Sequence, residues 1–218
     1  GFDEESTVDG THPNDIGMMK YAEAYETMIR KILHEEKGPI GTTMPIRQRR
    51  NWSIYDFMER HTAVLKTIRE KQPDVVVVGN SITHFWGGPP EASISSGIRS
   101  WNKYFQPLNV VNLGFGWDRI ENVLWRVYHG EFDGYKAKKI LLTIGTNNIS
   151  NGNTDEEITQ GIKHLIKAIG ERQPSARILL SGIYPRRDLE QRVAPLNRSL
   201  AVLAKTINVT YIDPGVVL

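Results

Sequence analysis

The sequence predicts an α/β fold, in which helices pack on both faces of a parallel sheet to form a three-layer sandwich. Five short runs of apolar, mostly β-branched residues lack alternation, as is typical of strands buried on both faces. Segments with helical periodicity alternate with these runs, which indicates right-handed strand–helix–strand crossovers. The predicted strands are residues 75–78, 110–113, 140–144, 178–181 and 209–212.

The helices between these strands each carry an apolar stripe at helical spacing. Two of them begin with a predicted capping box, Asp118 with Glu121 and Thr154 with Glu157. Two further stripes cover about residues 54–68 and 189–203.

The first part of the chain lies outside this strand–helix rhythm. Residues 15–33 have an apolar stripe that predicts a helix, and residues 38–50 contain two glycines and two prolines without any period. We therefore expect an N-terminal segment at 1–37, a linker at 38–50 and the core at 51–218, together forming one domain. The stripe consists of Met18, Tyr21, Ala22, Tyr25, Met28, Ile29 and Ile32.

The composition argues against several classes of protein, including nucleic-acid binders, disulfide-linked proteins and membrane-spanning proteins. A length of 218 residues fits one α/β domain, and a net charge of +2 argues against nucleic acid as the main partner. The basic run 47–50 is interpreted as a solvated linker, with a phosphate-binding patch as the alternative. The absence of cysteine excludes disulfides and cysteine-ligated metals, and no apolar run reaches the roughly 18 residues needed for a membrane span. No signal peptide is predicted from the sequence, so we expect either a cytoplasmic protein or a mature secreted form whose signal was removed.

Three predicted strands are followed directly by residues suited to acyl transfer. In open α/β sheets, ligands bind beyond the carboxyl ends of the strands. Ser81 follows the first strand, Gly114 the second and Asn147 the third. Each also has an ordinary explanation: a helix N-cap serine, a strand-to-helix turn and an Asx turn. Together they offer a nucleophile, a backbone N–H and a side-chain amide, the set that stabilises a tetrahedral oxyanion.

A serine nucleophile also needs a base, most often a histidine. Among the six histidines, His12 is distinguished by Asp9, which lies three residues before it in the sequence D-G-T-H-P-N. Asp9 could orient the imidazole within a short loop. The alternative interpretation is a solvated loop with a capping histidine.

These motifs resemble the blocks of the SGNH (GDSL-like) hydrolase family. Residues 79–83, G-N-S-I-T, are similar to its first block, G-D-S-x-[ST], with Asn80 in place of the aspartate. Gly114 matches the glycine of the second block, and residues 145–148, G-T-N-N, match the third. Residues 9–14 resemble the D-x-x-H-P-[NS] of the last block.

The resemblance implies a flavodoxin-like sheet of five parallel strands and a role for each matching residue. Ser81 is implied as the nucleophile and, through its own N–H, as an oxyanion donor together with Gly114 and the Asn147 side chain. His12 is implied as the general base and Asp9 as the group that orients it. Candidate substrate contacts beside the blocks, for which core packing or a solvated surface is the alternative, are Asn80, Trp86, Phe115, Trp117, Arg119 and Asn148.

The position of the last block is unusual, because in the family it closes the domain and here it opens the chain. One interpretation is a circular permutation, since the termini of domains are often close. A second is a fragment of a tandem protein, in which residues up to about Lys37 end an upstream module. A third is a domain swap or homo-oligomer formed through residues 1–37.

The expected function is hydrolysis of small acyl esters, acetyl esters of carbohydrates in particular, without a metal or organic cofactor. The family resemblance favours a mature secreted or periplasmic form. The competing hypothesis is a non-catalytic carbohydrate-binding or scaffold module whose triad is not assembled, because fold alone does not guarantee activity. A nucleotide-binding protein is disfavoured, since residues 79–84 make a poor phosphate loop.

Overall fold

The computed structural model describes residues 6–9, 11–33, 40–52 and 55–216, without the side chains of residues 27, 30–33, 51 and 52. The strands are β1 (Asn51–Trp52), β2 (Tyr55–Asp56), β3 (Val75–Gly79), β4 (Val110–Gly114), β5 (Lys139–Thr143), β6 (Arg177–Ser181) and β7 (Thr210–Ile212). The helices are α1 (Asp15–Leu33), α2 (Phe57–Lys71), α3 (Ser81–His84), α4 (Ile98–Tyr104), α5 (Ile120–Tyr128), α6 (Thr146–Ser150), α7 (Asp155–Arg172) and α8 (Glu190–Thr206).

Five strands form one parallel sheet in the order β4-β3-β5-β6-β7, while β1 and β2 pair separately as an antiparallel ribbon. Every predicted strand is present within two residues of its expected bounds, so the α/β fold class is confirmed. None of the helices in the described ranges has the length and apolar character to cross a bilayer.

The start of one helix differs from the prediction. The capping box of Thr154 and Glu157 is present, with backbone-to-side-chain distances of 2.7 and 3.2 Å. Asp118, however, does not cap α5, because its side chain is buried against Arg126. The N-cap is Arg119, whose backbone N–H donates to Asn122 Oδ1 at 2.9 Å.

The larger hydrophobic core lies on one face of the sheet. Helices α2, α5, α7 and α8 contribute apolar side chains that pack against the strands there, and almost all of them are fully buried. On the opposite face, Trp101 of α4 packs on Val77 and Val110 and covers β3 and β4. In the described part of the chain this second layer is incomplete, since Leu179 of β6 is only half-buried and Ile212 of β7 is 50% exposed.

Helix α1 contributes little to either core. Asn14 caps it by accepting hydrogen bonds from the backbone N–H groups of Ile16 and Gly17. The apolar stripe predicted from its sequence does not pack inward, since four of its members are more than half exposed. These are Met18, Tyr25, Met28 and Ile29.

Residues 40–50 lie against the core although they have little regular structure. The Thr42 hydroxyl donates to the carbonyl of Glu157 at 2.7 Å, and Ile46 is buried. Gln48 is also buried and donates to Asp118 Oδ1 at 2.7 Å. The sequence had suggested that the basic run 47–50 is solvated. That expectation does not hold for Gln48, which is buried and points inward.

A buried ionic network connects this segment to α5. Arg126, fully buried, contacts the carboxylates of Asp118, at 2.8 Å, and Glu131. The same Glu131 carboxylate accepts a hydrogen bond from His61 Nδ1 at 2.7 Å. Because desolvating three charges is costly, the network is stable only while each carboxylate keeps its cationic partner.

Replacing Arg126 with methionine should lower the free energy of unfolding by about 3–5 kcal/mol, because two buried carboxylates lose their shared partner. Urea unfolding measures the change. The control is Lys66→Ala, which removes an exposed ion pair of 3.9 Å with Glu70 and should change stability little. Equal stability of the Arg126 variant and the wild type would contradict the proposed importance of the network.

Candidate functional site

Ser81 lies where β3 ends and α3 begins, at the carboxyl edge of the sheet. The preceding residue, Asn80, is buried and its Oδ1 accepts the backbone N–H of Ile82 at 2.9 Å, so it caps the short helix. This corrects the expectation that Asn80 contacts substrate. Asn80 instead fixes the turn that presents Ser81.

Two glycines allow α3 to lie directly on the strand ends. Gly79 and Gly114 are paired across β3 and β4. A Cβ on Gly79 would lie 2.3 Å from Thr83 Oγ1, and a Cβ on Gly114 would lie 2.3 Å from the backbone nitrogen of His84. Any side chain at Gly114 would therefore push α3, and Ser81 with it, away from the sheet.

The backbone N–H of Gly114 is already engaged. It donates to Asn112 Oδ1 at 2.8 Å, while the Asn112 amide donates to the carbonyls of Thr83 and Gly87 at 2.7 Å each. This conflicts with the oxyanion-donor role expected for Gly114, because a donor must point at the reacting oxygen. In this structure Gly114 serves close packing, and the buried Asn112 joins three segments.

Ser81 opens onto a cavity of about 590 Å³ with aromatic walls. Its hydroxyl makes no hydrogen bond to any residue in the described ranges, so it is available to a ligand. Trp86 and Trp117, both expected near the site, line this cavity together with Ser81. The remaining lining residues are Ile82, Phe85, Ser96, Gly97 and Tyr184.

Two other expected contacts prove to be structural. Phe115 is fully buried in the core, with the guanidinium of Arg126 4.0 Å from its ring centroid. Asn148 is also fully buried, and it accepts from the backbone of Ile120 at 3.0 Å and donates to Glu121 at 2.9 Å. Burial of both side chains argues against a substrate contact for either residue.

Asn147 lines a neighbouring cavity of about 260 Å³, and Trp117 forms part of the wall of both cavities. Trp117 holds a left-handed backbone conformation with φ of 62°. The Asn147 amide donates one hydrogen to the carbonyl of Asp118 at 2.8 Å. Because a primary amide has two donor hydrogens, a second remains for a ligand. Arg119, another expected contact, lines this second cavity.

The Asp9–His12 pair is formed, but it makes no hydrogen bond to Ser81. Asp9 Oδ2 is 2.7 Å from His12 Nδ1, and the His12 side chain is 74% exposed. The backbone N–H of His12 also binds Asp9, which lowers the pKa of that carboxyl. Neither residue lines the Ser81 cavity, and no hydrogen bond joins His12 to Ser81. The structure thus forms the predicted pair without bringing it to the nucleophile.

The other histidines in the described ranges do not replace it. His61 pairs with Glu131, and His129 contacts the carbonyl of Trp125. His84 is buried beside Ser81, but its Nδ1 accepts the backbone N–H of Gly116 at 3.0 Å. Burial, with the charges of Arg60 and Arg126, lowers the pKa of His84 to about 2. His84 is therefore a poor base.

Sequence reasoning missed several residues that line the two cavities. Tyr184 follows β6 and could have been found by the same strand-end rule that located Ser81. Arg49 and Arg50 belong to the basic run interpreted as solvated, and they line the second cavity. No group of three or more metal-ligating side chains occurs within the residues that the structure describes.

The sequence matches family models at both of its ends. One model of the GDSL-like lipase/acylhydrolase family matches residues 77–217, and a second model with the same description matches residues 1–30. This chain belongs to the GDSL-like lipase/acylhydrolase family. The first match spans β3 to β7 and thus includes Ser81 and Asn147.

Curated proteins with other names also share substantial sequence with this chain. The human platelet-activating factor acetylhydrolase IB subunit alpha2 is 35% identical over 162 residues, 72% of this chain and 66% of its own length. Subunit alpha1 of the cattle enzyme is 31% identical over 168 residues, covering 74% and 68%. The chain thus matches just under two thirds of the length of the alpha2 relatives.

Solved structures of GDSL-like proteins have the same fold at low sequence identity. A GDSL-like lipase from Bacteroides thetaiotaomicron superposes with a TM-score of 0.56 at 15% identity, covering 71% of this chain and 76% of that one. A lipolytic protein of the G-D-S-L family from Veillonella parvula superposes with a TM-score of 0.51 at 17% sequence identity. The match covers 64% of this chain and 76% of that one.

Within this GDSL-like fold, the neutral His84 predicts a specific pH dependence. An unfolded histidine binds a proton below its ordinary pKa of 6.5, whereas folded His84 does not, so acid favours unfolding. Burial raises the pKa of Asp118 to about 7. Protonation of this carboxyl in acid therefore favours the folded state, which opposes the effect of His84 over an overlapping pH range. Comparing the stability of the wild type with that of His84→Asn isolates the contribution of the histidine, since Asp118 is present in both proteins.

The His84→Asn variant should gain stability relative to the wild type by about 1.4 kcal/mol for each pH unit below 6.5. Urea unfolding of both proteins at about pH 5, 6 and 7.5 measures the difference. Parallel stability profiles over that range would mean that His84 takes up a proton in the folded protein.

Proposed function

We propose that this chain hydrolyses small acyl esters, acetyl esters in particular, with Ser81 as the nucleophile. The observation that carries the proposal is the position of Ser81, at the carboxyl end of β3 with an unengaged hydroxyl in an aromatic-lined cavity. Membership of the GDSL-like lipase/acylhydrolase family supports an acyl ester as the substrate.

The acetyl group is proposed from the names of similar proteins. The curated relatives are named as platelet-activating factor acetylhydrolase subunits, and one structural neighbour is an acetyl-xylooligosaccharide esterase from Geobacillus. The aromatic walls at Trp86 and Trp117 would suit the flat apolar face of a sugar. An acetylated carbohydrate is therefore the proposed substrate.

In the proposed reaction, Ser81 Oγ attacks the ester carbonyl and gives its proton to a base. The tetrahedral intermediate then loses the alcohol, which takes that proton back from the base, and leaves an acyl-enzyme. Water, deprotonated by the same base, hydrolyses the acyl-enzyme, releases the acid and restores Ser81. The Ser81 N–H stands at the first position of α3, where backbone N–H groups have no partner within the helix. The second hydrogen of the Asn147 amide is the other proposed donor to the oxyanion. The Gly114 N–H could serve only after leaving Asn112.

His12, oriented by Asp9, is the proposed base. Asp9 Oδ2 lies 2.7 Å from His12 Nδ1. This contact orients the imidazole and leaves Nε2 to take the proton of the nucleophile. Because no hydrogen bond joins the pair to Ser81, the proposal requires His12 to approach the serine, either within one chain or from a second copy. The contact of Arg49 with the Val8 carbonyl, at 3.1 Å, already holds this segment to residues that border the second cavity.

A second candidate function is a non-catalytic binding module with the same fold. The exposure of His12 and its absence from the serine cavity favour this alternative. Such a module would bind an acylated or unmodified carbohydrate between the aromatic walls without turnover.

Hydrolysis of p-nitrophenyl acetate by the purified chain tests the proposal. Ser81→Ala and His12→Ala should each lower kcat by orders of magnitude, because nucleophile and base act as a unit. His164→Ala, which removes a histidine from the middle of α7, is the control and should retain activity.

The outcomes separate the two candidates. Turnover that depends on Ser81 and His12 supports the esterase. An inert wild type favours the binding module, and turnover that needs Ser81 but not His12 would reject His12 as the base while keeping the nucleophile.

Asn147→Ala should lower kcat by about 10²–10³ with a smaller effect on KM, because the amide contributes mainly when the oxyanion forms. The exposed Asn102→Ala on α4 provides the matched control and should behave as the wild type. An unchanged kcat for Asn147→Ala would remove this residue from the proposed oxyanion site.

A further inference from the structure

The cavity that contains Asn147 is lined by three arginines. Arg49 and Arg50 come from the segment before β1, and Arg119 comes from the N-cap of α5. Their guanidinium groups therefore converge from two separate parts of the chain. None of the described residues that line this cavity is acidic.

Two of these arginines are held in place by their neighbours. The Arg50 guanidinium lies 4.4 Å from the Trp117 ring centroid, and its Nε donates to Gln48 Oε1 at 3.1 Å. Arg119 Nε is 2.9 Å from Glu121 Oε1, and its Nη1 contacts Asn151. Orientation before binding reduces the entropy that a ligand contact would otherwise cost.

The arginines still have donor capacity. A guanidinium carries five N–H groups. Within the described part of the chain, Arg49 donates one N–H to the Val8 carbonyl. Arg119 contacts Glu121 through Nε and Asn151 through Nη1. The remaining N–H groups of Arg49 and Arg119 have no partner among the described residues.

The acidic residues nearby do not neutralise the cavity. Glu121 pairs with Arg119, and Asp118 faces the buried Arg126 instead of the cavity. Asp15 lies 3.8 Å from Arg47. A further cation, Arg186, donates to the Ser150 hydroxyl at the cavity rim at 2.9 Å. Among the residues that the structure describes, the charged side chains that line the cavity are therefore all arginines.

We propose that this cavity binds an oxyanion, a carboxylate or a phosphate, carried by the substrate. The planar guanidinium fork matches the geometry of both groups, and Asn147 and Asn151 add neutral polar groups beside it. The inference rests on the proposed esterase function for its substrate class: esters with an anionic group close to the scissile bond, since Asn147 and Trp117 border this cavity.

Binding is tested on the Ser81→Ala protein, so that the result does not depend on turnover. Phenyl phosphate and benzoate are titrated by calorimetry at low ionic strength, because salt screens exposed charges. Arg49→Gln and Arg119→Gln should each weaken binding by about tenfold or more, and Arg119→Lys should weaken it less. The control is Arg99→Gln, which removes the same charge from an exposed arginine on α4.

Turnover provides the second arm. The wild type should prefer 4-acetoxybenzoate or 4-acetoxyphenyl phosphate to the neutral 4-acetoxybenzamide in kcat/KM, and Arg119→Gln should lower that preference by about tenfold. The anion that binds and accelerates hydrolysis identifies the group as carboxylate or phosphate. Arg99→Gln should keep the wild-type preference.

The two proposals fail in different ways. If neither anion binds the Ser81→Ala protein, or if Arg99→Gln weakens binding as much as Arg119→Gln, the oxyanion cavity is rejected. Binding that depends on Arg49 and Arg119 in a protein without esterase activity would reject the esterase and keep the anion site.

Discussion

The close approach of α3 to the strand ends is the constraint on which the rest of the site depends. Gly79 and Gly114, paired across two parallel strands, leave no room for a side chain beneath the helix. Asn112 completes the arrangement by binding the Thr83 and Gly87 carbonyls from below. Ser81 is thereby placed by packing and buried hydrogen bonds, which keep its position fixed with or without a ligand.

Strand positions and the location of Ser81 could be predicted from the sequence, because buried parallel strands and their carboxyl ends leave strong local patterns. The direction of individual side chains could not. Asn80, Phe115 and Asn148 border the same motifs as Ser81, yet all three point into the protein. Motif spacing specifies which loop a residue occupies, whereas burial depends on contacts with distant segments such as residues 40–50.

The role of Gly114 illustrates the same limit. A glycine at a strand end predicts that something approaches its backbone, and in this chain the approaching group is α3 itself. The stripe on α1 is a second case, since its period correctly predicts a helix but cannot specify a partner surface. The Asp9–His12 pair forms from local contacts alone, whereas its position relative to Ser81 depends on how the N-terminal segment contacts distant residues such as Arg49.

Trp117 is the partition between the serine cavity and the arginine-lined cavity, and it holds a backbone conformation that costs a tryptophan about 1–2 kcal/mol and a glycine almost nothing. A single-nucleotide change converts a tryptophan codon to a glycine codon. That step would relax the backbone while joining the two chambers. The relaxed backbone would offset part of the packing that Trp117 loses against Tyr55 and Arg50, so the substrate range of such a fold can widen at a reduced cost in stability.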